Sequence, residues 1–205
     1  MRSLSVVQGK LLKLFATPLV TDQLPQAETL NAELAPLILA KMAGDKGMEV
    51  SNRGGWHSQR DLGDWGGDAW RRILQHALAL ADAHTDKPKT GCAWQTDAWA
   101  NVSADGHFNM PHVHGGTFWS AVYYVALCEG LGGELVLHDP RMPALQMHAP
   151  GVRFRGLGAE GEVAITPKPG LMVLFPGWLA HSVEPWQGTG QRISIAMNLR
   201  AKVTA

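Results

Sequence analysis

Three histidines and one arginine have the residue types and the spacing of a site that could hold a metal ion and an acid. His112 and His114 form the pair H-V-H, and residues i and i+2 of a strand project to the same side. His181 ends the sequence F-P-G-W-L-A-H, and Arg192 follows eleven positions later in R-I-S. Neutral imidazole is a good ligand for Fe(II), Zn(II) or Cu(II), and a guanidinium binds a carboxylate through two hydrogen bonds.

The strands around W-Q-G-T-G are expected to bring the late histidine and the arginine together. We predict that segments 179–184 and 191–199 pair as a hairpin, which places His181 nearly opposite Arg192. Three imidazoles on one side of a metal leave three coordination positions open. Two of these suit a chelating 2-oxo acid and one suits dioxygen.

The last predicted strand alternates between small polar and large apolar side chains. Its apolar face, Ile193 to Leu199 in steps of two, is expected to pack into a core. The opposite face suits the lining of a cavity, where Ser194 adds a hydroxyl beside the guanidinium of Arg192. The residues predicted for this lining face are Arg192, Ser194, Ala196 and Asn198.

Other polar residues on predicted strands could line the same cavity. Tyr123 and Tyr124 are adjacent, so one phenol must face the interior, where it could hydrogen-bond a bound acid or simply pack in the core. Tyr124 is our preference. Asn101 and Asn109 could also line the cavity, with turn formation as the alternative.

Two helices are predicted before residue 90. An extended segment at 11–24 precedes a helix from Gln26 to about Lys46, with apolar residues at intervals of three and four. Asp68 is expected to cap a second helix that fades by His84. The glycine-rich segment 51–67 between them is predicted to be either a lid over the substrate or a surface connection held by its tryptophans.

After residue 90 the pattern indicates β structure. Short apolar or alternating runs are separated by clusters of glycine, proline, aspartate or asparagine. We predict a mainly β fold with flanking helices, a sandwich or jelly roll, in one domain over 1–205. Residues 1–90 would supply helical support and the lid loop, and 91–200 the β core. The predicted strands are 92–102, 117–127, 133–138, 161–166, 171–175, 179–184 and 191–199.

Composition limits the class of partner. Eighteen basic residues balance eighteen acidic ones, so no overall field favours nucleic acid or a membrane surface. No apolar run approaches the roughly 20 residues that span a bilayer, and the N-terminus lacks a secretory signal, so a cytoplasmic location is expected.

Cys92 and Cys128 are expected to be buried thiols rather than a disulfide framework. Dimerisation through the helices is the default expectation.

Most of the chain resembles the 2-oxoglutarate/Fe(II)-dependent dioxygenase superfamily, and more closely a bacterial branch of its 2OG-Fe(II) oxygenases. The resemblance implies a double-stranded β-helix fold of the jelly-roll or cupin-like type, with iron at His112 and His181, and 2-oxoglutarate bound by Arg192. It also implies hydroxylation of a small-molecule or peptide substrate with release of succinate and CO2. The matching stretches are F-A-T-P-L, S-N-R-G-G-W-H-S, W-A-N-V, H-V-H, S-A-V-Y-Y-V, G-G-E-L-V-L-H-D-P-R, L-F-P-G-W-L-A-H-S-V-E-P and R-I-S-I-A-M-N.

One position departs from the superfamily's pattern. The usual early motif is His-x-Asp or His-x-Glu, whereas this chain has His114 in the second place. A neutral ligand instead of a carboxylate leaves one more positive charge on the metal site. Glu134 and Asp139 are the nearest acidic alternatives, and His114 is retained as the predicted third ligand.

Two other functions fit parts of the pattern. A cupin-type enzyme with a three-histidine metal would not use 2-oxoglutarate, and its usual glutamate position after H-x-H is held here by Phe118 or Trp119. A non-catalytic jelly-roll binding module with an incidental metal is the other alternative. Neither explains an arginine and a serine placed after His181.

Overall fold

The computed structural model describes residues 15–88, 91–141 and 161–203. Residues 11–14 of the predicted extended segment lie outside this range. The described chain is mainly β, with three helices on its N-terminal side. The helices are α1 (Ala27–Gly44), α2 (Leu62–Trp65) and α3 (Gly67–Ala83). The strands are β1 (Val20–Gln23), β2 (Asn52–Arg53), β3 (Trp56–His57), β4 (Cys92–Ser103), β5 (Phe108–His112), β6 (Trp119–Leu127), β7 (Gly130–Gly132), β8 (Leu135–His138), β9 (Glu162–Ile165), β10 (Leu171–Pro176), β11 (His181–Val183), β12 (Trp186–Gly188) and β13 (Arg192–Val203).

Two antiparallel sheets form the body of the fold. The larger has the order β1-β10-β6-β13-β4-β3, and the smaller has the order β2-β5-β11-β8-β9. A small apolar cluster connects their facing sides, with Tyr124 and Phe175 from the larger sheet against Leu135 and Leu137 from the smaller. This architecture confirms the predicted double-stranded β-helix with few helices.

The helices cover the outer face of the larger sheet. Leu34 and Ile38 of α1 and Ile73 of α3 share one buried cluster with Ile195 and Met197 of β13. Full burial of one such side chain contributes about 1.5–3 kcal/mol. The predicted apolar face of the last strand is therefore confirmed, and its other face is left free to line a cavity.

The two long helices begin and end close to the predicted positions. However, Asp68 is not the cap of α3: Gly66 holds that position, and exposed Asp68 instead pairs with Arg71 in the first turn. Leu37, one of the apolar residues at intervals of three and four in α1, is 41% exposed rather than buried. The segment 51–67 is more ordered than a plain loop, because β2, β3 and α2 all lie within it.

All seven predicted strands are present, but the predicted hairpin is wrong. His181 lies on β11 of the smaller sheet, whereas Arg192 begins β13 of the larger sheet, so the two residues are not strand partners. The connection between them contains β12, which pairs with β7 as a separate two-stranded ribbon. The glycine-bearing sequence W-Q-G-T-G is therefore a crossing between sheets rather than a tight turn.

Both cysteines are free, but they are not buried as predicted. Cys92 is partly exposed at the start of β4, and Cys128 is exposed just beyond β6. Among the described helices, none combines the length and the apolar character needed to cross a membrane.

Candidate metal and co-substrate site

The smaller sheet positions two of the three histidines directly. His181 at the start of β11 is the cross-strand partner of His112 at the end of β5. His114 lies two residues beyond β5, in the turn that follows rather than on the strand as predicted. The backbone of this turn is held by a 2.8 Å hydrogen bond from the His114 amide to the Gly177 carbonyl, and a 3.2 Å bond from the Thr117 amide to the His114 carbonyl.

The three imidazoles converge. One ring nitrogen from each of His112, His114 and His181 lies within 4.8 Å of the others, and this is the one group of metal-ligating side chains found in the described part of the chain. The ring centroids of His112 and His181 are 4.3 Å apart, and each lies 5.0 Å from that of His114. The rings are thus close enough to bind a single ion.

Hydrogen bonds and burial prepare these rings for metal binding. Nδ1 of His112 donates to the Met110 carbonyl at 2.7 Å, and Nδ1 of His181 donates to the Leu179 carbonyl at 2.9 Å, so the lone pair of each ring is on Nε2. Burial lowers the pKa of His112, that of His114 to about 4 and that of His181 to about 3. All three rings are therefore neutral near pH 7, as metal ligation requires.

A first row of polar side chains crosses the cavity face of the larger sheet. Ser194 on β13 has Asn101 of β4 as its partner on one side and Tyr124 of β6 on the other. The Tyr124 hydroxyl is buried and has no hydrogen-bond partner among the described residues. Tyr123 points the opposite way and donates to Asn31 of α1 at 2.7 Å. The geometry therefore places Tyr124, the preferred tyrosine, at the cavity.

Arg192 places a buried charge at the end of this row. Its guanidinium donates from Nε to the Gly133 carbonyl and from Nη1 to Ser194 Oγ, both at 3.1 Å, and the residue is 2% exposed. No described carboxylate forms an ion pair with it. Gly133 has a φ of +70°, and a Cβ there would lie 2.8 Å from the Arg192 side chain, so glycine makes room for the guanidinium. A buried cation without a counter-ion is costly, which favours an anionic ligand here.

A second row of polar side chains lies further along β13, and the sequence analysis missed it as a set. Asn198 has Asp97 of β4 on one side and Ser120 of β6 on the other. Between the two rows lie Trp99 and Ala196, which are cross-strand partners. Alternation on β13 predicted the inward orientation of Asn198, but no local signal in the sequence marked its two neighbours.

A cavity of about 480 Å³ joins these features. Each predicted metal ligand and each predicted co-substrate residue is part of its lining, which brings together His112, His114, His181, Arg192, Ser194, Tyr124 and Asn101. Asn109 lines it as well.

The two acidic alternatives to His114 do not join the cluster. Asp139 is paired with Arg141 through two hydrogen bonds, and neither it nor Glu134 is part of the metal-ligating group. His138 lies between Glu162 and the Ser182 hydroxyl, at 3.0 and 3.1 Å. His148 lies outside the described residues.

Several solved structures share this fold. A prolyl-4-hydroxylase from Pseudomonas putida is 21% identical, with a TM-score of 0.62, and the match covers 90% of this chain and 92% of the other. A Trichoplax adhaerens prolyl hydroxylase, solved with a hypoxia inducible factor peptide, is 14% identical with a TM-score of 0.63. That match covers 89% of this chain and 83% of the other. The α-ketoglutarate-dependent epimerase SnoN from nogalamycin biosynthesis is 14% identical with a TM-score of 0.63. That match covers 92% of this chain and 82% of the other. No curated protein matches the chain.

A histidine triad between two facing sheets, with a buried guanidinium in the same cavity, fits a metal-dependent oxygenase of the double-stranded β-helix class. The family model described as "Putative 2OG-Fe(II) oxygenase" matches residues 97–198, the segment from β4 to β13 that carries all of these groups. The chain belongs to the 2OG-Fe(II) oxygenases and is an oxidoreductase that uses Fe(II) and 2-oxoglutarate.

The residues present fit both groups that this family uses. Three neutral imidazoles with oriented lone pairs suit Fe(II), although the set lacks the carboxylate of the superfamily's usual motif. Among the described residues, the Arg192 guanidinium has no carboxylate partner and the Tyr124 hydroxyl has no hydrogen-bond partner, so both groups suit a carboxylate that accepts hydrogen bonds from them.

The metal-free protein is expected to lose stability as the pH falls below about 6.5. Unfolded histidines bind protons near pH 6.5, whereas the folded rings of His114 and His181 resist protonation down to about 4 and about 3. The unfolded state then binds more protons, so the free energy of unfolding decreases with falling pH. Denaturant titrations in chelator from about pH 8 to about pH 5 measure this slope.

Two variants separate this effect from general acid sensitivity. His181→Asn is expected to flatten the slope, because it removes one of the groups that resists protonation. His84→Asn, at an exposed position after α3, is the matched control and is expected to leave the slope unchanged. A wild-type slope of zero across this range would contradict the prediction.

Proposed function

We propose that the chain hydroxylates an unidentified substrate, with His112, His114 and His181 holding Fe(II). Arg192 and Ser194 would bind the far carboxylate of 2-oxoglutarate. The single observation that supports this assignment is the buried guanidinium, which has no carboxylate partner in the described part of the chain and lies in the same cavity as three converging imidazoles. Nothing in a cupin-type site or a plain binding module would offset the cost of that charge.

The protein's own residues would orient the co-substrate and exclude water. The Arg192 guanidinium would hold the carboxylate, with the Ser194 hydroxyl fixing its plane. The Tyr124 hydroxyl, which has no other described partner, would donate a further hydrogen bond, and Asn101 would border the same pocket. Burial raises the pKa of Tyr124, so its phenol stays protonated and able to donate.

When bound, Fe(II) and 2-oxoglutarate supply oxidation by dioxygen. One oxygen atom enters succinate as the 2-oxo acid loses CO2, and the other converts a substrate C–H bond to C–OH. The chain's contribution is to position the reactants, because the oxidation itself belongs to the cofactor pair.

The proposal extends to the cellular setting. A small molecule or a peptide would be the substrate, with neither nucleic acid nor a membrane as a partner. A balanced charge supports the absence of these two partners. We also propose a cytoplasmic location. The whole chain would act as one domain, with dimerisation through the helices as the default assembly.

The test is succinate formation from labelled 2-oxoglutarate by purified protein. With Fe(II) and dioxygen we expect slow turnover even without substrate, and no turnover when Zn(II) replaces Fe(II), because Zn(II) has no redox chemistry. A chelator should stop the reaction, and added Fe(II) should restore it. Binding of metal without any binding of 2-oxoglutarate would overturn the proposal.

A further inference from the structure

The second polar row has hydrogen-bonding capacity that the fold itself does not use. Ser120 and Asn198 are each 2% exposed, and Ser120 Oγ and Asn198 Oδ1 have no hydrogen-bond partner among the described residues. The Asn198 amide donates from Nδ2 to Asp97 at 3.4 Å, which leaves its buried Oδ1 as an unused acceptor in a residue that lines the cavity. Buried polar atoms are normally paired, so this pair of atoms indicates a ligand group.

Positive charge surrounds this row. Asp97 is shared by Arg60, at 3.1 Å, and by Arg200, which contacts both of its carboxylate oxygens. One negative charge therefore faces two positive ones. No acidic residue lines the cavity within the described ranges. This end of the cavity has a surplus of guanidinium donors.

The row lies close to the histidine triad. Arg60 stacks over the Trp99 ring, with its Cζ 5.4 Å from the ring centroid. The ring centroids of Trp99 and His114 are 5.7 Å apart. A group held by Arg60 would thus be separated from a metal-ligating ring by one side chain.

A co-substrate anchored at Arg192 cannot also occupy this row. The Arg192 guanidinium contacts Ser194, and Asn198 is four residues further along β13, or about 13 Å at the rise of a strand. The two carboxyl carbons of extended 2-oxoglutarate are only about 5 Å apart. The second row therefore remains available to the molecule that is oxidised.

Resting on the proposed function, we infer that this row binds an anionic group of the substrate, a carboxylate or a phosphate, with a hydroxyl or amine beside it. Arg60 and Arg200 bind the anion. Asn198 Oδ1 accepts a hydrogen bond from the neighbouring O–H or N–H, and Ser120 Oγ completes the pocket. The substrate class is a small hydrophilic acid or phosphate ester.

The test uses two matched probe pairs on the anaerobic protein loaded with Fe(II) and 2-oxoglutarate. Lactate is compared with lactamide, and glycerol phosphate with glycerol, by calorimetry. We expect one anion of these pairs to bind at least about tenfold more tightly than its neutral analogue, because charge-assisted bonds to guanidinium are the strong ones. Which of the two binds identifies the carboxylate or the phosphate as the recognised group.

Variants locate the binding. Arg60→Gln, at a half-exposed side chain that should not affect folding, and Ser120→Ala are each expected to weaken the anion at least about fivefold while 2-oxoglutarate still binds. Arg71→Gln, on the outer face of α3, is the matched control and should change neither affinity. Equal binding of anion and neutral analogue, or unchanged anion affinity in both cavity variants, would overturn the inference. Loss of 2-oxoglutarate binding in Arg192→Ala is a separate measurement and bears on the proposed function alone.

Discussion

Arg192→Ala is expected to abolish turnover of 2-oxoglutarate and to raise its dissociation constant at least about a hundredfold. The guanidinium supplies two charge-assisted hydrogen bonds in a buried setting, worth together about 3 kcal/mol or more. Alanine leaves a void and a desolvated site for the carboxylate. The measurement is calorimetric titration of 2-oxoglutarate into anaerobic Fe(II)-loaded protein, followed by the succinate assay.

Two further variants show that the loss is one of binding rather than folding. Arg192→Met keeps much of the side-chain volume and removes a buried charge that pairs with no carboxylate of the described residues, so the metal-free variant is expected to be no less stable than wild type. Ser194→Ala should weaken 2-oxoglutarate only about fivefold, since it removes one neutral donor. Normal 2-oxoglutarate affinity in folded Arg192→Met would contradict the assigned role.

The strands and their faces could be predicted from the sequence, because their pattern is local. On β13 the alternation of large apolar and small polar residues places Ile195 in the core and Ser194 at the cavity, and the structure agrees. A period of two depends only on the pleat of a single strand, and no knowledge of the neighbouring strands is required.

Sheet membership could not be predicted in the same way. Adjacent strands with a glycine-bearing connection favour a hairpin, and this preference assigned His181 the wrong partner. In the structure His181 pairs with His112, about seventy residues earlier, and the connection pairs with Gly130–Gly132. Long-range pairing is decided by which faces must be buried together, and a local turn signal does not contain that information.

The second polar row, which we propose binds the substrate, could not be predicted from local sequence patterns either. Ser120, Asp97 and Arg60 lie on or beside three different strands, and each looks unremarkable within its own segment. They become a set only through their register against Asn198 or through the shared carboxylate of Asp97. A site of this kind leaves no characteristic spacing in the sequence. The metal site does leave one, H-V-H, because two of its three ligands come from a single stretch of chain.

The His114 series is expected to show that a neutral third ligand holds the metal. His114→Ala should weaken Fe(II) binding at least about tenfold and stop succinate formation, because only water then fills the coordination position that the imidazole occupied. His114→Asp should recover binding, since a carboxylate is the superfamily's usual group in this place and would lower the charge of the site. Anaerobic Fe(II) titration gives affinity independently of turnover.

The acidic alternative to His114 is tested by Asp139→Asn. Asp139 is engaged with Arg141 and lies outside the histidine cluster, so this variant should bind Fe(II) as tightly as wild type. If His114→Ala kept full Fe(II) affinity while Asp139→Asn lost it, Asp139 would replace His114 as the third ligand. The turn after β5 would then have to move to release the His114 ring. The 2.8 Å bond from the His114 amide to Gly177 opposes such a release, because it fixes the backbone that carries the ring. That bond is the reason to expect three imidazoles, rather than two with a distant carboxylate, to bind the iron.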